Sequence, residues 1–125
     1  MKKFLLIFFS VFFILTIPIQ ANSQKENKID YEKTKYALIA SLSPAINEAV
    51  AKIYKDIPGG DRQWAGWETE ILSIKQLYGI GGAYRITVKI HTYVGAHNPP
   101  NGIDTITIEV GGGEQKIIKY EHKED

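Results

Sequence analysis

The sequence predicts an α+β fold in which an N-terminal helix pair packs on a four-stranded antiparallel meander sheet. Three observations lead to this prediction. Apolar residues recur at helical spacing between Ile46 and Tyr54. Apolar and polar residues alternate along residues 84–93, as they do in a strand with one buried face. Short glycine-rich segments connect the later elements, and short connections make neighbouring strands antiparallel.

Residues 1–21 have the pattern of a secretory signal peptide. Lys2 and Lys3 precede an apolar run at 4–19, and Ala21 offers a small residue at the expected cleavage position. The run is shorter than the roughly 20 residues that cross a bilayer core. We therefore expect cleavage near Ala21 and a secreted or extracytoplasmic protein. An uncleaved segment would instead anchor the domain to the membrane.

Composition limits the classes of function. Cleavage removes Lys2 and Lys3 from 15 basic residues, which leaves 13 against 14 acidic ones and a formal charge of about −1. A nearly neutral domain is a poor candidate for nucleic acid, because that affinity depends on neutralised phosphates. The chain has no cysteine, which excludes disulfides, thiol nucleophiles and thiolate metal sites. We expect neither nucleic acid as a partner nor a cofactor.

The part of the chain after the cleavage position is expected to hold one α+β domain, residues 29–122. The segment 22–28 has no apolar residue and is expected to be a disordered leader, and 123–125 is expected to be a frayed tail. Asp30 can cap a first helix. Ser43 is a preferred N-cap and Pro44 suits a first helical position, so a second helix is expected there. Its apolar face consists of Ile46, Ala49, Val50, Ile53 and Tyr54.

Four strands are expected to follow the helices. Their composition and alternation place them at residues 67–77, 84–93, 105–110 and 115–122. Glycine-rich segments separate the first strand from the second and the third from the last. A proline-rich loop separates the second strand from the third.

This loop, GAHNPPNG at residues 95–102, is the segment richest in turn-forming residues. Its two prolines fix their own φ angles and extend the residues before them, so the loop is preorganised. Two interpretations are open. In the functional one, His97 faces a ligand as an acid, a base or a donor, aided by Asn98 and Asp104. In the structural one, His97 and Asn98 hold the bend through local hydrogen bonds, and a cis proline can complete it.

The segments SPAINEAVAKIY, ILSIK and TYVGAHNPPNGIDTITI together resemble an uncharacterised family of small exported proteins. That family is known chiefly from Gram-positive bacteria and is classed as a domain of unknown function. The resemblance covers about residues 38–122 and implies no activity. Ala96 and Asn101 depart from the proline and tyrosine of the family pattern. The positions that it marks are Gly95, His97, Asn98, Pro99, Pro100, Gly102, Asp104 and Thr105.

The chain has three histidines, His91, His97 and His122. Together with Asp104 they could ligate a metal only if the ends of three strands met. No HxH or HExxH spacing is present. We therefore expect no metal site and keep the three histidines as weak candidates for one.

Trp64 and Trp67 lie near a loop-to-strand junction, where aromatic rings can form a platform for a sugar or a peptide. Core packing of at least one of them is favoured, because the chain after residue 21 has no phenylalanine to fill volume. Glu68 and Glu70 alternate onto one face of the expected strand, a spacing that could serve a glycosidase. Their simpler role is to protect an edge strand from aggregation.

These patterns favour a non-catalytic exported module that binds a protein, a peptide or an envelope component. The binding surface would be the His97 loop or the open face of the sheet. The alternative is a small hydrolase or metal-dependent enzyme centred on His97 and Asp104, with His122 as a further member. A purely structural role in the envelope is a third hypothesis. An inward-facing His97, bonded only to its own loop, would exclude the enzyme.

Overall fold

The computed structural model describes residues 29–125, so the signal peptide and leader expected at 1–28 lie outside the described residues. Two helices precede an antiparallel sheet, which confirms the α+β prediction. No helix within 29–125 is long and apolar enough to cross a membrane. The elements are α1 (Tyr31–Ser41), α2 (Ser43–Tyr54), β1 (Gln63–Trp64), β2 (Glu70–Gln76), β3 (Ala83–Val94), β4 (Asn98–Gly111) and β5 (Glu114–Glu124).

The sheet has five strands where the sequence predicts four. The strand expected at 67–77 is β2, and the two-residue β1 comes before it. A turn of 3-10 helix at Gly66–Glu68 separates β1 from β2, and the Thr69 hydroxyl donates to the Ala65 carbonyl oxygen at 2.9 Å across it. Both strands pair with β3, so together they form one edge of the sheet. From that edge the order is β3, β4 and β5.

The two helix starts differ from each other. Asp30 caps α1 as predicted, and its Oδ1 accepts from the backbone N–H of Glu32 at 3.0 Å. Ser43 does not cap α2, because Leu42 remains helical at φ −85° and ψ −5° and α1 leads directly into α2. The Ser43 hydroxyl instead donates to the Ile39 carbonyl oxygen at 3.5 Å.

Helix α2 covers one face of the sheet with the apolar face that its sequence pattern predicts. Against it lie alternate residues of β3 and β4, which are buried because side chains of a strand point to opposite faces. Burying one such side chain contributes about 1.5–3 kcal/mol. The buried core consists of Leu42, Ala45, Ile46, Ala49, Val50, Ile53, Tyr54, Ile86, Val88, Ile90, Ile106 and Ile108.

The opposite face of the sheet carries polar cross-strand pairs. The hydroxyl oxygens of Thr87 and Thr107 lie 3.2 Å apart, and Arg85 forms an ion pair with Glu109. Such pairs between neighbouring strands contribute roughly 0.2–1 kcal/mol each. This face can therefore remain in contact with water while the other face forms the core.

Strand β4 begins inside the segment predicted to be a loop. Pro99 and Pro100 belong to the strand, with a cis peptide bond between them, and the connection from β3 shortens to residues 95–97. At the other end of the chain, β5 continues to Glu124, which pairs with Gly102. The strand thereby includes two of the three residues expected in the tail at 123–125.

Candidate functional site

Two recesses meet at the start of β4, and both are lined by Asn101 and Asp125. The first, called here the His97 recess, has a volume of about 420 Å³ and is also lined by Glu68, His91, Thr92, Tyr93 and His97. The second, called the Arg62 recess, has a volume of about 340 Å³. Its walls include Tyr54, Pro58, Arg62, Pro99, Pro100, His122 and Glu124.

His97 occupies the turn between β3 and β4 with a φ of 58°, in the left-handed region that few residues other than glycine adopt. Its ring stacks on that of Tyr93, with 3.9 Å between centroids and 15° between planes. Its Nε2 lies 3.8 Å from Glu68 Oε2. The side chain is nevertheless 50% exposed. His97 is thus positioned by tertiary contacts and still presents an edge to solvent.

The two tryptophans have different environments. Trp64 packs against the core, and its indole N–H donates to Asn47 Oδ1 at 2.8 Å. This is the core role favoured for at least one of the pair. Trp67 is 69% exposed, and its ring centroid lies 6.4 Å from that of His97. Trp67 alone therefore extends the aromatic surface that Tyr93 and His97 begin, and its use as a platform stays a prediction.

A buried carboxylate lies on the helix side of β4. Asp104 has no exposed surface and is surrounded by Tyr54, Thr92 and His122, which form with it the Asp104 cluster. The Tyr54 hydroxyl donates to Asp104 Oδ2 at 2.7 Å, and His122 Nδ1 lies 2.6 Å from Asp104 Oδ1. An ionised carboxylate only accepts, so the hydrogen-bond network assigns a proton to His122 Nδ1. Since Tyr54 has one proton, Thr92 donates to the Tyr54 oxygen at 2.6 Å.

These bonds satisfy the Asp104 carboxyl group in the interior. A buried carboxylate without hydrogen bonds would be strongly unfavourable, and Tyr54 and His122 each supply a donor. The same environment changes the acidity of the tyrosine. The pKa of Tyr54 is raised to about 12, and burial is the largest cause. The hydrogen bond from Thr92 is the next largest effect and lowers this pKa, the hydrogen bond and charge of Asp104 raise it, and the charge of Arg62 lowers it slightly. Tyr54 therefore acts as a donor throughout the neutral range.

Arg62 closes the Arg62 recess over Tyr54. Its guanidinium carbon lies 4.6 Å from the centroid of the Tyr54 ring, and its Nη atoms donate to the carbonyl oxygens of Pro58, at 3.2 Å, and Pro100. Arg62 Nε and His122 Nε2 are buried, and neither has a hydrogen-bond partner among residues 29–125. Two polar atoms with unused bonding capacity thus belong to side chains that line one recess.

The three histidines do not come together. His91 and His97 line the His97 recess, whereas His122 belongs to the Asp104 cluster and lines the Arg62 recess. Asp104, expected to assist His97, bonds to His122 instead. In the part of the chain that the structure describes, no three His, Asp or Glu side chains are arranged to hold a metal ion.

The remaining candidates do not come together at one site. Asn98 is exposed and pairs with Val94, and Thr105 is half-buried between its neighbours on β3 and β5. Glu68 lies in the 3-10 turn next to His97, while Glu70 Oε1 is 2.9 Å from Lys89 Nζ. The two glutamates therefore do not share a strand face. Tyr54, Thr92 and Arg62 were not singled out from the sequence as site residues.

A family model with the description "Protein of unknown function (DUF3888)" matches residues 34–124. The matched range includes the whole Asp104 cluster and every lining residue of the two recesses except Asp125. Neither a curated protein nor a solved structure matches the chain.

Gly102 is expected to be required for the Asp104 cluster. A Cβ at this position would lie 2.7 Å from Thr92 Oγ1 and closer still to the Tyr54 hydroxyl, so Gly102→Ala has to displace the cluster. We expect a loss of about 2 kcal/mol or more in the free energy of unfolding, as for other changes that disrupt a buried network. Gly79→Ala is the control, because nothing lies within 4 Å of a Cβ there. Urea unfolding of both variants checks this, and equal losses would contradict it.

The raised pKa of Tyr54 predicts a specific pH dependence. Its folded-state value of about 12 lies above the ordinary 10.0, so the associated stability is complete below pH 10 and is lost as the pH approaches 12. Ultraviolet titration of the folded protein should show a tyrosine that ionises near pH 12 and is missing from Tyr54→Phe. Identical titration curves for the two proteins would contradict the raised pKa of the buried Tyr54 hydroxyl.

Proposed function

The chain belongs to the DUF3888 family, whose description assigns no activity, and from its geometry we propose a non-catalytic binding module of the cell exterior or envelope. The His97 recess would receive the ligand, which is a protein, a peptide or an envelope component. This proposal rests mainly on one observation: His97 is held in place by Tyr93 while half of its side chain remains exposed.

A group that is both fixed and exposed suits recognition. The stacked Tyr93 ring and the nearby Glu68 carboxylate restrict His97, so little rotamer freedom remains to be lost when a ligand binds. Trp67 adds a large exposed ring beside it, and aromatic side chains dominate the energetics of many binding surfaces. Glu68, His91 and Asn101 supply polar groups around the same recess. The rings of Tyr93 and His97 and these polar groups therefore line one opening, and the Trp67 ring lies beside it, 6.4 Å from His97.

A hydrolase centred on His97 has less support. General acid–base catalysis needs a partner within hydrogen-bond reach, and His97 Nε2 is 3.8 Å from the Glu68 carboxylate. Asp104 is fully buried and is bonded to Tyr54 and His122. Among residues 29–125, His97 has no bonded carboxylate that would orient it as a catalytic base, whereas binding requires none.

The exterior location follows from the signal peptide expected at 1–21. Protein recovered from the medium of the producing cells should begin at Asn22, because Ala21 occupies the cleavage position. Mass spectrometry of the intact protein measures this. Recovery only with the membrane fraction, with residues 1–21 retained, would overturn secretion and support an anchored domain.

Binding should depend on the exposed tryptophan. The probe is sedimentable envelope material from the producing cells, mixed with purified protein and assayed by co-sedimentation. We expect Trp67→Ala to weaken retention by about tenfold or more, which corresponds to about 1.4 kcal/mol. His97→Asn should act similarly, since asparagine tolerates the left-handed φ and leaves the turn intact.

The matched control is Tyr78→Ala, which removes an aromatic ring of similar exposure from a hairpin that lines neither recess. Both truncations should leave the free energy of unfolding within about 0.5 kcal/mol of wild type, because both rings are exposed. Equal retention of Trp67→Ala and Tyr78→Ala by the envelope material would argue against the His97 recess as the binding site.

A further inference from the structure

We propose that the outer edge of β2 binds the same edge of a second copy of this chain, so that two sheets join into one antiparallel sheet. No β2 residue lines the His97 recess, and the inference does not rest on the proposed function. Strand β2 pairs with β3 on one side. On its other side it pairs with no strand among residues 29–125, so the outward backbone N–H and C=O groups of this seven-residue strand are available for pairing.

The two edges of the sheet differ in how well they are protected against such pairing. The opposite edge is β5, in which six of eleven residues are Glu or Lys. Charged side chains on an edge strand discourage pairing with another strand. Strand β2 has two charged residues in seven, and its Leu72 and Ile74 side chains are 50% and 55% exposed. The β2 edge is therefore the less protected of the two.

A bulge in β2 determines which of its residues can face each other in a symmetric pair. Ile71 pairs with Val88, and Ser73 pairs with the preceding residue of β3, Thr87, so Leu72 is the extra residue. The residues on either side of the bulge therefore keep the alternation of the sheet when Leu72 is left out of the count.

The sequence of β2 complements itself when two copies run antiparallel with a two-fold axis at Ser73. Counting outward from Ser73 without the bulged residue, Ile71 lies opposite Ile74 of the second copy, and Glu70 lies opposite Lys75. Apolar side chains then meet on the helix side of the sheet, and opposite charges meet on the other side. By symmetry each contact occurs twice, as in other two-fold interfaces.

The charges along β2 favour a second copy of the chain as the partner. Lys75 lies opposite Arg85 of β3, and no carboxylate among residues 29–125 forms an ion pair with Lys75. In the proposed pair, Glu70 of the second copy lies beside it. Opposite charges on neighbouring strands are stabilising. An unrelated strand would have to supply an acidic side chain at this position, whereas a second copy already carries one.

Two strands of this length form a small interface, which predicts a weak and reversible dimer. Standard stable interfaces bury about 1,200–2,000 Å² in total, and transient ones bury less. We therefore expect a dissociation constant in the micromolar range, so that the dimer forms where the protein is concentrated.

Cysteine cross-linking tests the register, because the chain has no cysteine of its own. Ser73→Cys should place two thiols opposite each other at the axis, close enough for a disulfide. Gln76→Cys is the matched control on the same exposed edge, since its two copies would be six residues, or about 20 Å, apart. Under mild oxidation we expect a disulfide-linked dimer from Ser73→Cys and little from Gln76→Cys. Equal yields, whether high or low, would overturn the register.

Charge reversal tests the pairing without a covalent bond. Lys75→Glu and Glu70→Lys should each weaken dimerisation by about tenfold in sedimentation velocity, because each places like charges opposite each other twice. An equimolar mixture of the two variants should associate about as tightly as wild type, since opposite charges meet again in the heterodimer. Lys119→Glu, on β5, is the control and should dimerise as wild type does.

Three results would overturn the proposal. The first is a wild-type protein that stays monomeric at high concentration. The second is a mixture of Lys75→Glu and Glu70→Lys that associates no better than either variant alone. The third is a dimer that Lys119→Glu weakens and Lys75→Glu does not, which would place the contact on β5.

Discussion

The buried Asp104 carboxylate is the constraint on which the rest of this structure depends. Its buried oxygens have to be bonded, and their partners come from the end of α2 and from β5, while a hydroxyl from β3 bonds to the Tyr54 oxygen. One carboxylate on β4 thereby connects four elements. The cluster also requires glycine at position 102, because a larger residue would occupy its space. Arg62, in the loop that follows α2, lies over the Tyr54 ring of the cluster.

The segment GAHNPPNG with its continuation to Thr105 therefore has two roles at once. His97 belongs to the solvent side, where its ring completes an aromatic surface with Tyr93 and Trp67. Gly102 and Asp104 belong to the interior. The Pro100 carbonyl oxygen accepts a hydrogen bond from Arg62, and Pro100 lines the Arg62 recess. The motif therefore contributes both to the solvent side and to the interior, while the functional interpretation of His97 stays a prediction. The binding surface that we propose would combine a rigid support with a few exposed groups.

Much of the fold could be predicted from the sequence because apolar residues recur at the spacing of a helix or of a strand in its longer elements. The apolar face of α2 and the alternation in β3 and β4 both reflect one buried side. The two-residue β1 could not be predicted, since two residues establish no period. The cap expected at Ser43 fails because the backbone of Leu42 stays helical, which local sequence does not reveal. The turn-forming residues around His97 indicated that it lies in a bend. The size of the tryptophans indicated that at least one of them packs in the core, and that one is Trp64.

The Asp104 cluster was beyond sequence reasoning, because Tyr54 and His122 are 68 positions apart and only the fold joins them. The most direct test of this account is a long-range proton–nitrogen correlation spectrum of the His122 ring in the folded protein. The account requires the proton of the neutral ring on Nδ1, bonded to Asp104, with Nε2 free of it. A neutral ring with its proton on Nε2 alone would contradict the hydrogen-bond arrangement of the Asp104 cluster.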